Sequence, residues 1–194
     1  MGRTRELLFA SQNQHKVEEV RKLLPQGYSL LGLSDIQWSS DIPEPFHTYE
    51  ENAKAKAYFV FDRTGLSCFA DDSGLEIDAL DGRPGVFSAR YAGENRNHND
   101  NINKVLNELE GIIERKARFH AVIAFLNESK EMILFSGKVE GTIALKPIGT
   151  GGFGYDPIFI PDGFDQTFGQ LSDEIKNRIS HRALAMQEFI RFLK

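Results

Sequence analysis

The stretch Glu6–Ser34, ELLFASQNQHKVEEVRKLLPQGYSLLGLS, changes its hydrophobic period twice within one short run. ELLFAS (6–11) has the composition of a short buried strand that ends on polar residues. NQHKVEEVRKLLPQG then places Val17, Val20, Leu23 and Leu24 at helical spacing, and Pro25 and Gly27 stop the helix. YSLLGLS (28–34) returns to strand composition. The chain therefore opens β-α-β, a unit that places a helix over a pair of parallel strands.

Working outward, DIPEPFHT is a proline-containing loop. Thr48 is placed to cap a helix over 49–65, with Glu51 in the box position. LSCFADD (66–72) reads as a third strand, followed by the loop-rich SGLEIDALDGRPGVFSARYAGE and a helix around 99–111. ARFHAVIAFLN and EMILFSGKVEGTIAL read as two long antiparallel strands joined by ESK. PIFIP is a short apolar β-like run, and the C-terminal segment holds one or two helices. Early β-α-β and late antiparallel strands together predict a single α/β domain, residues 1–194, with a mixed sheet.

At 194 residues the chain is long enough to bury a substantial core, and a hydrophobic share of 41% is ordinary for a globular protein. A net charge of −5 argues against coating nucleic acid or an anionic membrane, while leaving room for a local basic pocket. One cysteine, Cys68, cannot form an internal disulfide, so a reducing compartment is expected; in a β-like run it reads as a core residue. With no apolar run of membrane-spanning length and no leader-like N-terminus, a cytoplasmic protein is expected.

KPIGTGGFGYDPIFIP (146–161) spaces Gly149, Gly151 and Gly154 as G-x-G-x-x-G. That fingerprint wraps a dinucleotide only where a helix opens on it, and Pro157 and Pro161 prevent one here. What remains is a glycine-rich loop whose backbone can approach a ligand closely.

Four other places concentrate polar groups. Ser11, Asn13 and Lys16 stand where a strand gives way to a helix, a position that attracts phosphate; capping by Ser11 or Asn13 beside a solvated Lys16 explains them equally. Asp71 and Asp72 end an apolar run, where their charge needs a partner such as a hard cation; an Asp-Ser-Gly turn is the alternative. Glu44 sits stiffly between two prolines, as a metal ligand or an exposed loop acid. Lys176, Ser180, His181 and Arg182 gather donors near a helix start, an anion site or a solvated helix end. Taken together with Phe153 and Tyr155, these groups describe a site for a nucleoside polyphosphate, with a base on an aromatic face.

SQNQHKVEE resembles the opening Ser/Thr-x-Asn-x-x-Lys-x-x-Glu motif of the inosine triphosphate pyrophosphatases, also called non-canonical purine NTP pyrophosphatases or XTP/dITP diphosphatases. ADDSGLEIDALDGRPGVFSARYAG, GTGGFGYDPIFIP and LSDEIKNRISHRALA resemble that family's other signatures, in the same order. The resemblance spans the chain from Ser11 to the C-terminal helix. It implies an elongated α/β fold, with a central mixed sheet flanked by helices and two lobes around a substrate cleft. It also implies a homodimer, and Mg2+-dependent hydrolysis of ITP, dITP and XTP to the monophosphate and pyrophosphate, which cleanses the nucleotide pool.

Carried onto this sequence, the resemblance implies that Ser11, Gln12, Asn13, Gln14, His15 and Lys16 bind triphosphate, with Lys56 a further phosphate ligand. Glu44 and Asp72 would hold Mg2+, Asp72 would also be the general base, and Ser73 would touch substrate. Phe153, Gly154, Tyr155, Asp156, Lys176, His181 and Arg182 would form the base pocket. Ser11 stands where threonine is common, and Ile175 and Gln170 replace residues that are often acidic, which bears on fine specificity. A pyrophosphatase for modified pyrimidine nucleotides and a nucleotide-sensing module are the competing readings.

Overall fold

A computed structural model describes residues 4–194; the reading of the N-terminus at positions 1–3 lies outside them. The opening unit forms as β1 (Arg5–Phe9), α1 (Gln14–Leu23) and β2 (Tyr28–Gly32). The two strands are parallel, with Leu7 opposite Leu30. α1 buries Val17 and Val20, one turn apart on its inner stripe. In α2 (Tyr49–Thr64), the Thr48 hydroxyl accepts the Glu51 N–H and donates to the Glu51 carboxylate at 2.8 Å, as its capping position requires.

β3 (Cys68–Ile77) is longer than the expected 66–72 and runs straight through Asp71-Asp72-Ser73-Gly74. The turn-like composition of that tetrad is overridden because β3 continues past its short pairing with β1, at Cys68 and Phe69, as the hydrogen-bonded neighbour of a fourth strand. Beyond it come α3 (His98–Glu108), β4 (Lys116–Leu126), β5 (Met132–Ile143), β6 (Phe159–Pro161), α4 (Asp173–Ile179) and α5 (His181–Leu193). The sheet order is β2-β1-β3-β4-β5-β6. β1 pairs parallel with β2 and β3, whereas β5 and β6 are antiparallel, so the sheet is mixed and the fold is α/β.

The chain forms two compact units. The first comprises the residues up to Asp72, Ala121–Gly137 and Arg182–Lys194; the second comprises Ser73–His120 and Lys138–His181. Each has its own core. In the first, Phe9 stacks on Phe69 with centroids 4.7 Å apart, and Phe69 meets Phe189 of α5 at 5.0 Å. In the second, Leu75, Ile77, Val105, Leu109 and Ile158 are fully buried, and Phe119 packs on Phe159. Among the described residues, no helix is long and apolar enough to cross a membrane.

Candidate functional site

Successive residues of a strand face opposite ways, and β3 uses this at its two aspartates. Phe69 and Asp71 point toward α1 and α5. Asp71 Oδ1 accepts from Lys16 Nζ at 3.1 Å and Oδ2 from Arg182 Nε at 3.0 Å, and Arg182 also donates to Glu19. Cys68 and Asp72 point toward α2: Cys68 Sγ donates to the Ala57 carbonyl at 3.3 Å. Asp72 Oδ1 accepts from Lys56 Nζ at 3.0 Å and Oδ2 from Asn52 Nδ2 at 3.1 Å. Lys56 donates as well to Glu44 Oε1, at 2.6 Å.

The two aspartates are driven in opposite directions. Burial alone would raise the Asp71 carboxyl, but Lys16, Arg182 and Lys56 outweigh it and hold the group well below the ordinary carboxylate range. For Asp72, burial wins over Lys56 and Lys16, Glu44 adds repulsion, and the carboxyl is raised. Desolvation depresses Lys16 despite Asp71. It also acts on Lys56, where the carboxylates of Asp72, Glu44 and Asp71 overcome it and raise the ammonium.

Among the described residues, no three His, Cys, Asp or Glu side chains converge on a metal position. Two do converge on one cation: Glu44 and Asp72 both bind the Lys56 ammonium. A donor set of two hard carboxylates suits Mg2+, which takes one or two protein carboxylates and completes its shell with water and substrate phosphate.

The first-unit loop before α1 is ordered by its own side chains. Asn13 caps α1 by accepting the Lys16 N–H at 3.2 Å, and Ser11 Oγ accepts the Asn13 N–H at 3.3 Å. Gln12 bonds the Ser40 carbonyl and the Ile42 N–H, both at 3.3 Å, which ties this loop to the segment leading to Glu44. Gln14 and His15 are exposed on the first turn of α1.

In the second unit, the glycine loop folds on its own backbone. A Cβ at Gly149 (φ +83°) would sit 2.2 Å from the Gly169 carbonyl oxygen, and one at Gly152 (φ +68°) would sit 2.0 Å from Asp156 Oδ2. These close approaches explain Gly149 and Gly152 without a pyrophosphate, and Gly154 is needed for its positive φ of +61°. Asp156 Oδ2 accepts from the Phe153 N–H at 2.7 Å and from Lys176 Nζ at 2.6 Å. The Lys176 ammonium lies 5.2 Å from the Phe153 ring centroid, and the Gly154 N–H meets His98 Nδ1 at 3.4 Å. The His181 ring stacks on Phe119, with centroids 4.7 Å apart and an interplanar angle of 11°.

This arrangement can be set against known proteins. The Ham1 family model matches residues 7–192. The chain belongs to the Ham1 family. It is 50% identical over 189 residues to a dITP/XTP pyrophosphatase of Flavobacterium psychrophilum, covering 97% of this chain and 99% of the relative. A dITP/XTP pyrophosphatase of Flavobacterium johnsoniae is 50% identical over 187 residues, covering 96% and 97%. Among solved structures, the Staphylococcus aureus Ham1 protein is similar with a TM-score of 0.88 and 42% identity, over 97% of this chain and 98% of that one.

In this Ham1-family chain, Lys16, Glu44, Lys56 and Asp72 come together with Asp71 in the first unit. Phe153, Asp156 and Lys176 come together in the second. Arg182 is engaged by Asp71 and Glu19, within the first unit. Tyr155 is buried, with its hydroxyl donating to the Ser88 carbonyl at 2.9 Å, and burial raises that phenol strongly. Ser73 follows Asp72 in β3 and is partly buried. Ser180 separates α4 from α5, its N–H bonding the Lys176 carbonyl at 2.9 Å. Sequence reasoning missed Asn52 and His98, and it held Glu19 only as the last position of the motif that begins at Ser11, without its bond to Arg182. Only Asn52 carried a local signal: an amide among alanines inside a helix, where asparagine is disfavoured without a bonding role.

Proposed function

We propose that this Ham1-family chain is a nucleoside triphosphate pyrophosphatase, which uses Mg2+ to hydrolyse dITP, XTP and ITP to monophosphate and pyrophosphate and so cleanses the nucleotide pool. The observation that carries the reading is the convergence of Glu44 and Asp72 on one cation position, with Lys16 held beside it by Asp71. The names of the relatives support the substrate class.

In this reading, Lys16 and Lys56 bind the triphosphate, together with the Ser11–His15 segment at the start of α1. Glu44 and Asp72 would hold Mg2+, which would supply positive charge toward the pyrophosphate leaving group. Asp72 takes a proton from a water whose oxygen bonds to the α-phosphorus, while the bond from that phosphorus to the bridging oxygen breaks. A carboxylate beside Mg2+ would be ionised at neutral pH, so Asp72 could accept that proton. Phe153 offers a ring face to the base, and Lys176 and His181 supply donors for a 6-keto oxygen. Adenine presents an amino group there, and donor facing donor leaves both unpaired. Arg182 acts through Asp71.

A cytoplasmic homodimer completes the proposal. Sedimentation of only a 21.9 kDa species at micromolar concentration would remove the dimer. The activity is tested by pyrophosphate release from a panel of nucleoside triphosphates with and without Mg2+. Release from dITP, XTP and ITP well above ATP, GTP and pyrimidine nucleotides is the expected result. Orthophosphate as first product would overturn the mechanism, and equal rates on ITP and ATP would overturn the base reading.

A further inference from the structure

α2 presents two residues of one face to Asp72, four positions apart and hence one turn apart. Lys56 takes Oδ1 and Asn52 takes Oδ2, so each oxygen of the carboxylate has its own donor. Asn52 is buried, and its amide is fully used. One Nδ2 hydrogen goes to Asp72 and the other to the Phe46 carbonyl at 3.1 Å, while Oδ1 accepts the Phe46 N–H at 2.9 Å. Both backbone polar groups of Phe46 are therefore paired with a single side chain. Phe46 lies two residues after Glu44, across Pro45, whose ring stiffens the connection.

We infer that Asn52 is a positioning residue that sets Asp72 and the Glu44-bearing loop in one geometry, by clamping Phe46 and Asp72 Oδ2 with the same amide. The inference rests on the proposed reading of Glu44 and Asp72 as the metal-holding pair. Lys56 alone cannot fix that pair: an ammonium on a flexible stem tolerates many orientations of the two carboxylates it touches. Asn52 removes that freedom on both sides. It holds the plane of the Asp72 carboxylate with Oδ1 toward Lys56 and Glu44, and it pins the loop two residues from Glu44. Asn52 is buried and its amide bonds Phe46 and Asp72, so its effect passes through the two carboxylates.

The test uses the full chain and the variants Asn52→Ala, Asn52→Ser, Glu44→Gln and the double variant Asn52→Ala with Glu44→Gln. In the parent, dITP must be cleaved with Mg2+; a silent parent overturns the proposed function itself, separately from Asn52. In an active parent background, Asn52→Ala lowers kcat by about a hundredfold, the scale of a misplaced catalytic group. The Mg2+ concentration for half-maximal rate rises, and KM for dITP changes little. A second readout needs neither metal nor turnover: hydrogen exchange at the Phe46 amide loses protection in metal-free Asn52→Ala. A third is coupling, since the double variant should fall well short of the product of the single effects if both act through one constellation. Should Asn52→Ala not fold, Asn52→Ser serves, because its smaller hydroxyl can be accommodated and bonds only one of the three partners. Multiplicative effects, an unchanged Mg2+ dependence or kcat within twofold of the parent overturns the inference. So does a failure of both variants to fold, which would assign Asn52 to the scaffold.

Discussion

Asp71→Asn is the perturbation that separates the two neighbouring aspartates. Asp71 is 1% exposed at its side chain and neutralises two cations, Lys16 at 14% and Arg182 at 3%. An asparagine keeps the shape but has one acceptor oxygen, so its NH2 group must face one of two donors. Removing one partner of a buried ion pair costs about 3–5 kcal/mol. Glu19 still neutralises Arg182, and Lys16 can swing toward water, so the loss should fall near the lower end, about 3 kcal/mol. For a chain of this size, that corresponds to a fall in Tm of roughly 6–12 °C. Asp72→Asn should behave differently: burial already opposes its charge, Glu44 remains to balance Lys56, and stability should fall clearly less while turnover is abolished. The assay is urea unfolding in EDTA at neutral pH, reading the midpoint at unchanged slope. Because the folded Asp71 carboxyl lies below its unfolded value, its stabilisation is present above about pH 4 and is lost as pH falls toward the folded value. A shift for Asp71→Asn within about 1 kcal/mol of the parent, or a larger loss for Asp72→Asn, would refute the assignment of opposite roles.

Asp156→Asn removes the charge that holds Lys176 and is expected to reduce the dITP-to-dATP ratio of kcat/KM by about tenfold or more, with little change in triphosphate affinity; an unchanged ratio would detach Lys176 from base reading. Cys68 is fully buried, its Sγ–H bonds the Ala57 carbonyl, and burial pushes the thiol up to about 12. Iodoacetamide should therefore leave it intact in the native protein at pH 8 and alkylate it after unfolding, as checked by mass; rapid native alkylation would contradict the packing of β3 on α2.

What the sequence determined by itself was local or carried by motifs. The β-α-β opening was legible because hydrophobic period is a property of neighbouring residues, and the α2 start was legible because Thr48 and Glu51 are three apart. The four motifs were enough to point to the family, which the match over residues 7–192 bears out. Tertiary structure decided what those residues touch. Asp-Asp-Ser-Gly has the composition of a turn, and only the pairing of β3 inside the sheet made it strand. That pairing then sorted Asp71 and Asp72 onto opposite faces, a consequence of the pleat that a reading of adjacent acids at a strand end could not supply. The partners that stabilise Asp71 lie 55 and 111 positions away in sequence. Tyr155, read as a ligand, proved to be buried with its hydroxyl on the Ser88 carbonyl, 67 residues distant. Burial and ion pairing act between residues brought together by the whole fold, so neither is written in any one segment of the chain.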